Sequence, residues 1–211
     1  MKKIIYLAAA FGLLTALPAF SETSEVVVSN VQGDVQIQRG TTMMPVTAGM
    51  TCQQGDIVKT GANCSADVTM NKLAGVRLLA SSSGTITSSE KESMMVTINS
   101  GNAILNLNKL PKDSTFKVET PTAIAAVRGT QFWGRVGDQK FEGAGLPKPY
   151  TTFAVRQGSV EILAKNANKQ FTLQPGEALD IPQEAEELPG IRKALPEEMK
   201  AMEQADSIKK E

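Results

Sequence analysis

Histidine is absent from all 211 residues. That removes the side chain most often used as a general base near neutral pH and the commonest metal ligand. Only two cysteines are present, so any metal site would need carboxylates to complete its shell. Net charge is missing too, because 22 Lys and Arg balance 22 Asp and Glu. No Lys/Arg cluster stands out, which argues against nucleic acid and anionic membrane surfaces as partners. No long apolar run follows the N-terminus, so the mature chain is expected to have no transmembrane segment. There is no phosphate-binding loop. Ser81–Ser83 and Ser88–Ser89 have no recognisable activating base. Glu186 and Glu187 sit in a polar stretch where acids are solvated. No residue is marked as catalytic and no cofactor or metal is implied, so the chain reads as non-enzymatic.

What is present begins with an export signal. Lys2 and Lys3 precede an apolar run, Ile4 to Leu17, that is shorter than the ~20 residues a bilayer span needs. Pro18 ends it, and Ala19 and Ser21 place small residues where a signal peptidase requires them. Residues 1–21 are therefore expected to be a signal peptide cleaved before Glu22, leaving a periplasmic or secreted protein; an uncleaved anchor is the alternative. In an oxidising compartment Cys52 and Cys64 are expected to form a disulfide. Closing so short a loop stabilises by ~3 kcal/mol in the chain-entropy model. A redox or metal-binding pair is the other reading.

Residues 22–182 read as strands and turns. Gly33-Asp-Val-Gln-Ile-Gln-Arg39 alternates apolar and polar residues, and similar short runs recur to Ile181 with Gly-bearing turns between them. The expected fold class is all-β: a twisted β-solenoid-like or β-sandwich domain of many short strands. A weak repeat links Gly33-Asp-Val-Gln-Ile37, Gly101-Asn-Ala-Ile-Leu105 and Gly158-Ser-Val-Glu-Ile162, each expected to follow a turn and open a strand. Residues 183–211 differ. Glu184, Glu186 and Glu187 form an acidic linker, and Pro196 opens a short C-terminal α-helix with acids in its first turn. Leu195, Met199 and Met202 share one face, and Lys209 and Lys210 suit the C-terminal end. This amphipathic helix either docks on the β domain or reaches another protein.

The most informative stretch is Thr120-Pro-Thr-Ala-Ile-Ala-Ala-Val-Arg-Gly-Thr-Gln-Phe132. It resembles the signature segment of the FecR family of bacterial envelope proteins. The resemblance runs from about Val26 to Ile181. It includes Gly49-Met-Thr-Cys-Gln-Gln-Gly-Asp-Ile-Val-Lys-Thr-Gly61, Ser100-Gly-Asn-Ala-Ile104, Gln157-Gly-Ser-Val-Glu-Ile162 and Leu173-Gln-Pro-Gly-Glu-Ala178. The order and combination are specific, although each piece alone is weak. Well-known members are inner-membrane regulators with a cytoplasmic anti-sigma segment, one transmembrane helix and a periplasmic domain that reads an outer-membrane transporter. This chain shows the β domain behind an export signal and neither of the first two parts. The resemblance therefore implies a stand-alone module, without carrying over sigma-factor control or iron signalling.

Physical chemistry gives the signature residues structural work. Pro121 holds Thr120 extended and starts a strand. Gly129 supplies an unusual dihedral beside Thr130. Arg128, if buried, needs a carboxylate or carbonyls, and Asp56 is the candidate partner on motif grounds alone; a ligand-binding Arg128 is the alternative. Partner binding is expected in the long segment Gly137–Tyr150, through Phe141, Leu146 and Tyr150, unless that loop folds back over the sheet. Trp133 is expected beneath it. The reading that emerges is an exported, non-enzymatic module with an adaptor, scaffold or signalling role, binding an unidentified envelope protein or cell-wall component. A periplasmic small-molecule or glycan sensor is the alternative, followed by a carboxylate-based hydrolase.

Overall fold

The structure is a computed structural model that describes residues 25–137, 150–183 and 188–208. Two sheets share the strands, and the chain visits them alternately. β1 (Val26–Gln32) lies in sheet I, and β2 (Val35–Arg39), β3 (Thr42–Pro45) and β4 (Ile57–Thr60) lie in sheet II. β5 (Ser65–Met70) and β6 (Ala74–Leu78) return to sheet I, and β7 (Ser83–Glu90) goes back to sheet II. β8 (Ser93–Leu107) belongs to both. Its first half pairs β7 in sheet II and its second half pairs β6 in sheet I. β9 (Thr115–Glu119) and β10 (Ala123–Val127) are in sheet II, and β11 (Gln131–Gly137) and β12 (Tyr150–Gln157) in sheet I. β13 (Val160–Ala164) and β14 (Lys169–Leu173) extend sheet II, and β15 (Glu177–Pro182) and β16 (Arg192–Lys193) extend sheet I.

In sheet I the spatial order therefore follows the sequence, from β1 through β5, β6, β8, β11, β12 and β15 to β16. Sheet II does the same after the β3–β2 hairpin. The fold is all-β, and it reconciles the two expected architectures. Two sheets pack face to face, as in a sandwich, while the chain advances along the stack as in a solenoid. Neither sheet closes. Alternation in the strands supplies the single large core between them. The inward residues of β9, for example, are Phe116 and Val118 and those of β10 are Ala123, Ala125 and Val127, while Lys117 of β9 and Ile124 and Ala126 of β10 face out.

The repeated glycines mark where the chain crosses between sheets. Gly33, Gly101 and Gly158 all have positive φ, at 78°, 82° and 81°. Each packs against a small side chain at another crossing. A Cβ on Gly33 would lie 2.5 Å from Cys64 Sγ, one on Gly101 2.3 Å from Ser82 Oγ, and one on Gly158 2.6 Å from Thr130 Cγ2. Two of the three contacts also share a hydrogen-bond pattern. Cys64 Sγ accepts from the Asp34 amide at 3.1 Å and donates to the Ala62 carbonyl. Ser82 Oγ accepts from the Asn102 amide at 2.9 Å and donates to the Ala80 carbonyl. In both, the accepted amide belongs to the residue after the glycine and the carbonyl lies two residues back. Thr130 turns its methyl to the glycine, and its buried hydroxyl has no protein partner among the described residues. One expectation changes here: Gly101 does not open a strand but lies inside β8, where that strand passes from sheet II to sheet I.

The C-terminal segment docks. α1 (Pro196–Met202) and the 3-10 turn Glu203–Ser207 lie on the outer face of sheet I. Pro196 opens the helix as expected, and Glu198 reaches back to the Leu195 amide at 2.7 Å, half of a capping box. Met202, Ala205 and Ile208 bury against Ile104, Trp133, Ala154 and Ala178. Trp133 is therefore covered by this segment; the 138–149 stretch expected above it lies outside the described residues.

The crossings make a testable contrast. Gly33→Ala combines a left-handed backbone with a steric clash and is expected to destabilise by about 2–4 kcal/mol. Cys64→Ser keeps the donor and acceptor and should change stability by about 1 kcal/mol or less. Thr130→Val removes an unpaired hydroxyl and should be close to neutral. Urea unfolding curves check all three, and a Cys64→Ser loss as large as that of Gly33→Ala would contradict the crossing role of Cys64.

Candidate functional site

The signature segment divides into three structural pieces. Thr120–Thr122 is the corner between β9 and β10. Thr120 Oγ1 accepts the Ala123 amide at 3.0 Å and the Thr151 hydroxyl at 3.0 Å, and Thr122 donates to Thr151 at 2.7 Å. This buried hydroxyl cluster ties the corner of sheet II to β12 of sheet I. Pro121 is exposed at the second position of the corner, where its fixed φ suits a turn, so it bends the chain rather than starting the strand. Ala123–Val127 forms β10. Arg128-Gly129-Thr130 is then the crossing into β11, with Gly129 at φ 69°, where an added Cβ would lie 3.2 Å from Lys109 Cα.

Arg128 is exposed and donates to the Leu110 carbonyl at 3.3 Å. It does not pair with Asp56, whose buried carboxylate is held by Arg39 at 2.6 and 2.8 Å and by the Gln53 amide at 2.7 Å. Burial alone would raise the Asp56 pKa. The Arg39 hydrogen bonds and the Gln53 amide outweigh it and hold the carboxyl below the usual range.

The outward face of β10 carries Ile124 and Ala126, both half-buried. They floor a shallow cleft of about 380 Å³ on sheet II. The register aligns Ile124 with Leu163 and Gln170, and Ala126 with Lys117, Glu161 and Thr172. The rim is thus one lysine, one glutamate and two neutral polar side chains around an aliphatic floor. Phe171 stands at the β14 edge, with Lys169 Nζ 5.2 Å from its ring centre. Sequence reasoning did not single this surface out. Its signal was the alternation inside the signature strand, whose in-facing alanines drew attention away from the out-facing Ile124 and Ala126.

The remaining buried acids are matched by arginines. Asp67 pairs with Arg77 at 2.6 and 2.7 Å. Arg192 bridges Asp180 and Glu198, with Glu198 accepting at 2.6 and 2.9 Å and Asp180 also accepting the Thr152 hydroxyl at 2.7 Å. Burial opposes the Arg192 charge, but the hydrogen bonds to Glu198 and Asp180 more than offset this and raise its pKa. Among the described residues, no three His, Cys, Asp or Glu come together as a metal site.

The expected Cys52–Cys64 disulfide is absent, and both thiols are free and buried. The reason is geometric. The Cys52 amide donates to the Val26 carbonyl at the start of β1, whereas Cys64 sits beside Gly33 just past its end, and a strand of seven residues spans roughly 20 Å, beyond the Cα separation a disulfide tolerates. Cys64 is engaged at the Gly33 crossing, while Cys52 lies near Asp56, where burial and that charge push its thiol up to about 12. Of the expected contact residues, Tyr150 is only 1% exposed and opens β12 opposite Pro182, so its ring offers no surface to a partner. Phe141 and Leu146 lie outside the described residues, as do residues 1–21, expected to be a signal peptide, and Glu184, Glu186 and Glu187.

The FecR protein family model matches residues 56–161. The chain belongs to the FecR family. The matched stretch begins at Asp56, contains the whole signature and ends inside β13, so it holds Lys117, Ile124, Ala126 and Glu161 of the sheet II cleft and leaves the β14 side of the cleft and the C-terminal segment outside. Two crystal structures of a candidate anti-sigma factor from Parabacteroides distasonis share the fold, each with a TM-score of 0.55 at 19% identity, over 70% of this chain and 64% of theirs. This FecR chain thus spans less than two thirds of the length of those structures. No curated protein sequence matches it. Among the described residues no helix is long and apolar enough to cross a membrane.

Two measurements follow from this chemistry. A thiol reagent at pH 8 is expected to leave the native protein unmodified and to label both cysteines once guanidinium is added; rapid native labelling would contradict the burial. The depressed Asp56 pKa contributes stability that is present above the unfolded carboxyl value near ~4 and is lost as pH falls through the folded value. The urea midpoint of Asp56→Asn should therefore lie below wild type at pH 7 and converge with it under acid. A gap that persists in acid would show that Asp56 acts through something other than its charge.

Proposed function

We propose that this FecR-family chain is an exported, non-enzymatic regulatory module that binds a protein partner through the sheet II cleft. The observation that carries this reading is the double use of the signature strand. One face of β10 builds the core, and the other, Ile124 and Ala126, floors the cleft within the family-matched stretch. Family membership supports a regulatory role, and the shared fold with a candidate anti-sigma factor is consistent with one. The shape of the cleft favours a protein over a small ligand. Ligand pockets enclose most of a small molecule's surface, whereas this cleft lies open on a sheet. The two facing acids that would suit a hydrolase, Asp180 and Glu198, are bridged by Arg192 and so are engaged in structure. Export rests on the N-terminal segment, with cleavage before Glu22 and a periplasmic destination. Phe141 and Leu146 are proposed as further contact residues.

Affinity capture from envelope extract tests the binding surface. Ala126→Arg and Leu163→Arg point outward, so each should leave the unfolding midpoint nearly unchanged. Each is expected to reduce recovery of the partner seen with wild type by about tenfold or more. Equal recovery would remove the cleft from the reading. A mature N-terminus other than Glu22 in the periplasmic fraction, or retention of residues 1–21, would overturn the export part on its own.

A further inference from the structure

The outer face of sheet I carries an apolar cluster separate from the main core: Ile104, Trp133, Ala154 and Ala178, covered by the C-terminal segment. The register puts these four in one cross-strand row from β8 to β15, and Arg77 of β6 continues it. Trp133 is the tall member, and the two alanines beside it lower the floor into a channel across the strands. The segment lies along that row. Glu198 sits near Asp180 on β15 through Arg192, Asp206 meets Arg156 of β12 at 2.8 Å, and Ser207 accepts from Arg77 at 2.9 Å. Between them Asn106 of β8 donates to the Ala205 carbonyl at 2.8 Å.

Two features set this segment apart from the core elements. Its apolar contacts form their own cluster, so the main core does not include them. Its seven-residue helix is also far shorter than the ~12–15 residues an isolated helix needs, so it owes its shape to the channel. We propose that the outer face of sheet I is a docking groove for an amphipathic helix of a protein partner, held in cis by residues 196–208. The cis occupant defines the chemistry of that partner. It presents apolar side chains at three-residue spacing, as Met199, Met202, Ala205 and Ile208 do. An acid follows to meet Arg156, as Asp206 does, and a hydroxyl meets Arg77. This mode is helix-in-groove recognition, with charge complementarity at one end of the groove. It uses the face opposite the sheet II cleft and does not rest on the cleft reading.

Trp133, the one tryptophan of the chain, reports on the groove directly. In the full chain, Met202→Glu is expected to red-shift Trp133 emission while cooperative unfolding of the β domain is retained. A synthetic peptide of residues 188–208 should reverse the shift saturably. The same peptide with Asp206→Lys should bind about tenfold more weakly, and a scrambled peptide should not bind. In wild type, a longer designed helix presenting the same contact residues should displace the tail. If Met202→Glu does not fold, a protease site placed within 184–187 of the wild-type chain gives the same readout. After cutting, the released segment should exchange for labelled 188–208 peptide with the β signal intact. Loss of the β signal on release, equal binding of the scrambled peptide, or failure of the designed helix to displace the tail would overturn the groove. Ala126→Arg should leave the Trp133 signal unchanged, which separates this outcome from that of the cleft.

Discussion

At each of three crossings a left-handed glycine presses against a small side chain from a neighbouring crossing, and there is no room for a Cβ between them. This close approach sets how near one crossing can come to the next, and with it the register by which successive strands enter alternate sheets. The inward side chains fill the space between the sheets, with Phe116, Phe132, Phe153 and Ile162 among the largest fully buried and Ala123 and Ala125 among the smallest. A larger residue at Gly101 or Gly158 would have to move backbone, not merely a flexible side chain, because an added Cβ would lie 2.6 Å from Ser82 Cα or 2.8 Å from the Gly129 carbonyl oxygen.

That constraint also explains what could and could not be read in the sequence. The alternation in segments such as Val35–Arg39 and Thr115–Glu119 exposed the strands, and the Gly-polar-apolar repeat exposed the periodic unit. The crossing partners were hidden because they are a cysteine, a serine and a threonine, which share size and not type. Cys64 looked like half of a disulfide when its role is that of a serine-sized hydrogen-bonding plug. Arg128 looked buried because its neighbours in sequence are apolar, yet it follows the last residue of β10 at a crossing, where the chain has already left the core. The C-terminal helix was legible from Pro196 and its methionine face. Its seat was not, since Arg77, Asn106, Trp133 and Arg156 are brought together only by strand register.

The polar interior follows a single rule. Each buried carboxylate among Asp56, Asp67, Asp180 and Glu198 has an arginine donating to it from a different element. Stranding one such charge is strongly unfavourable, whereas a complete pair contributes little net stability but permits few alternative arrangements. These pairs therefore act mainly on specificity: Arg39 fixes the β2–β4 turn region, Arg77 joins β5 to β6, and Arg192 fixes where the chain after β15 turns into α1.

β8 has a kinetic consequence as the one strand among the described residues with neighbours on both sides in both sheets, β7 and β9 in one and β6 and β11 in the other. A chain that folds outward from it adds strands to each sheet in sequence order, so each new pairing closes a loop of modest length instead of joining the two ends of the domain. Loop-closure entropy and contact order then stay low for an all-β protein. The middle of the sequence is the natural nucleus, and the two open ends of the stack condense last.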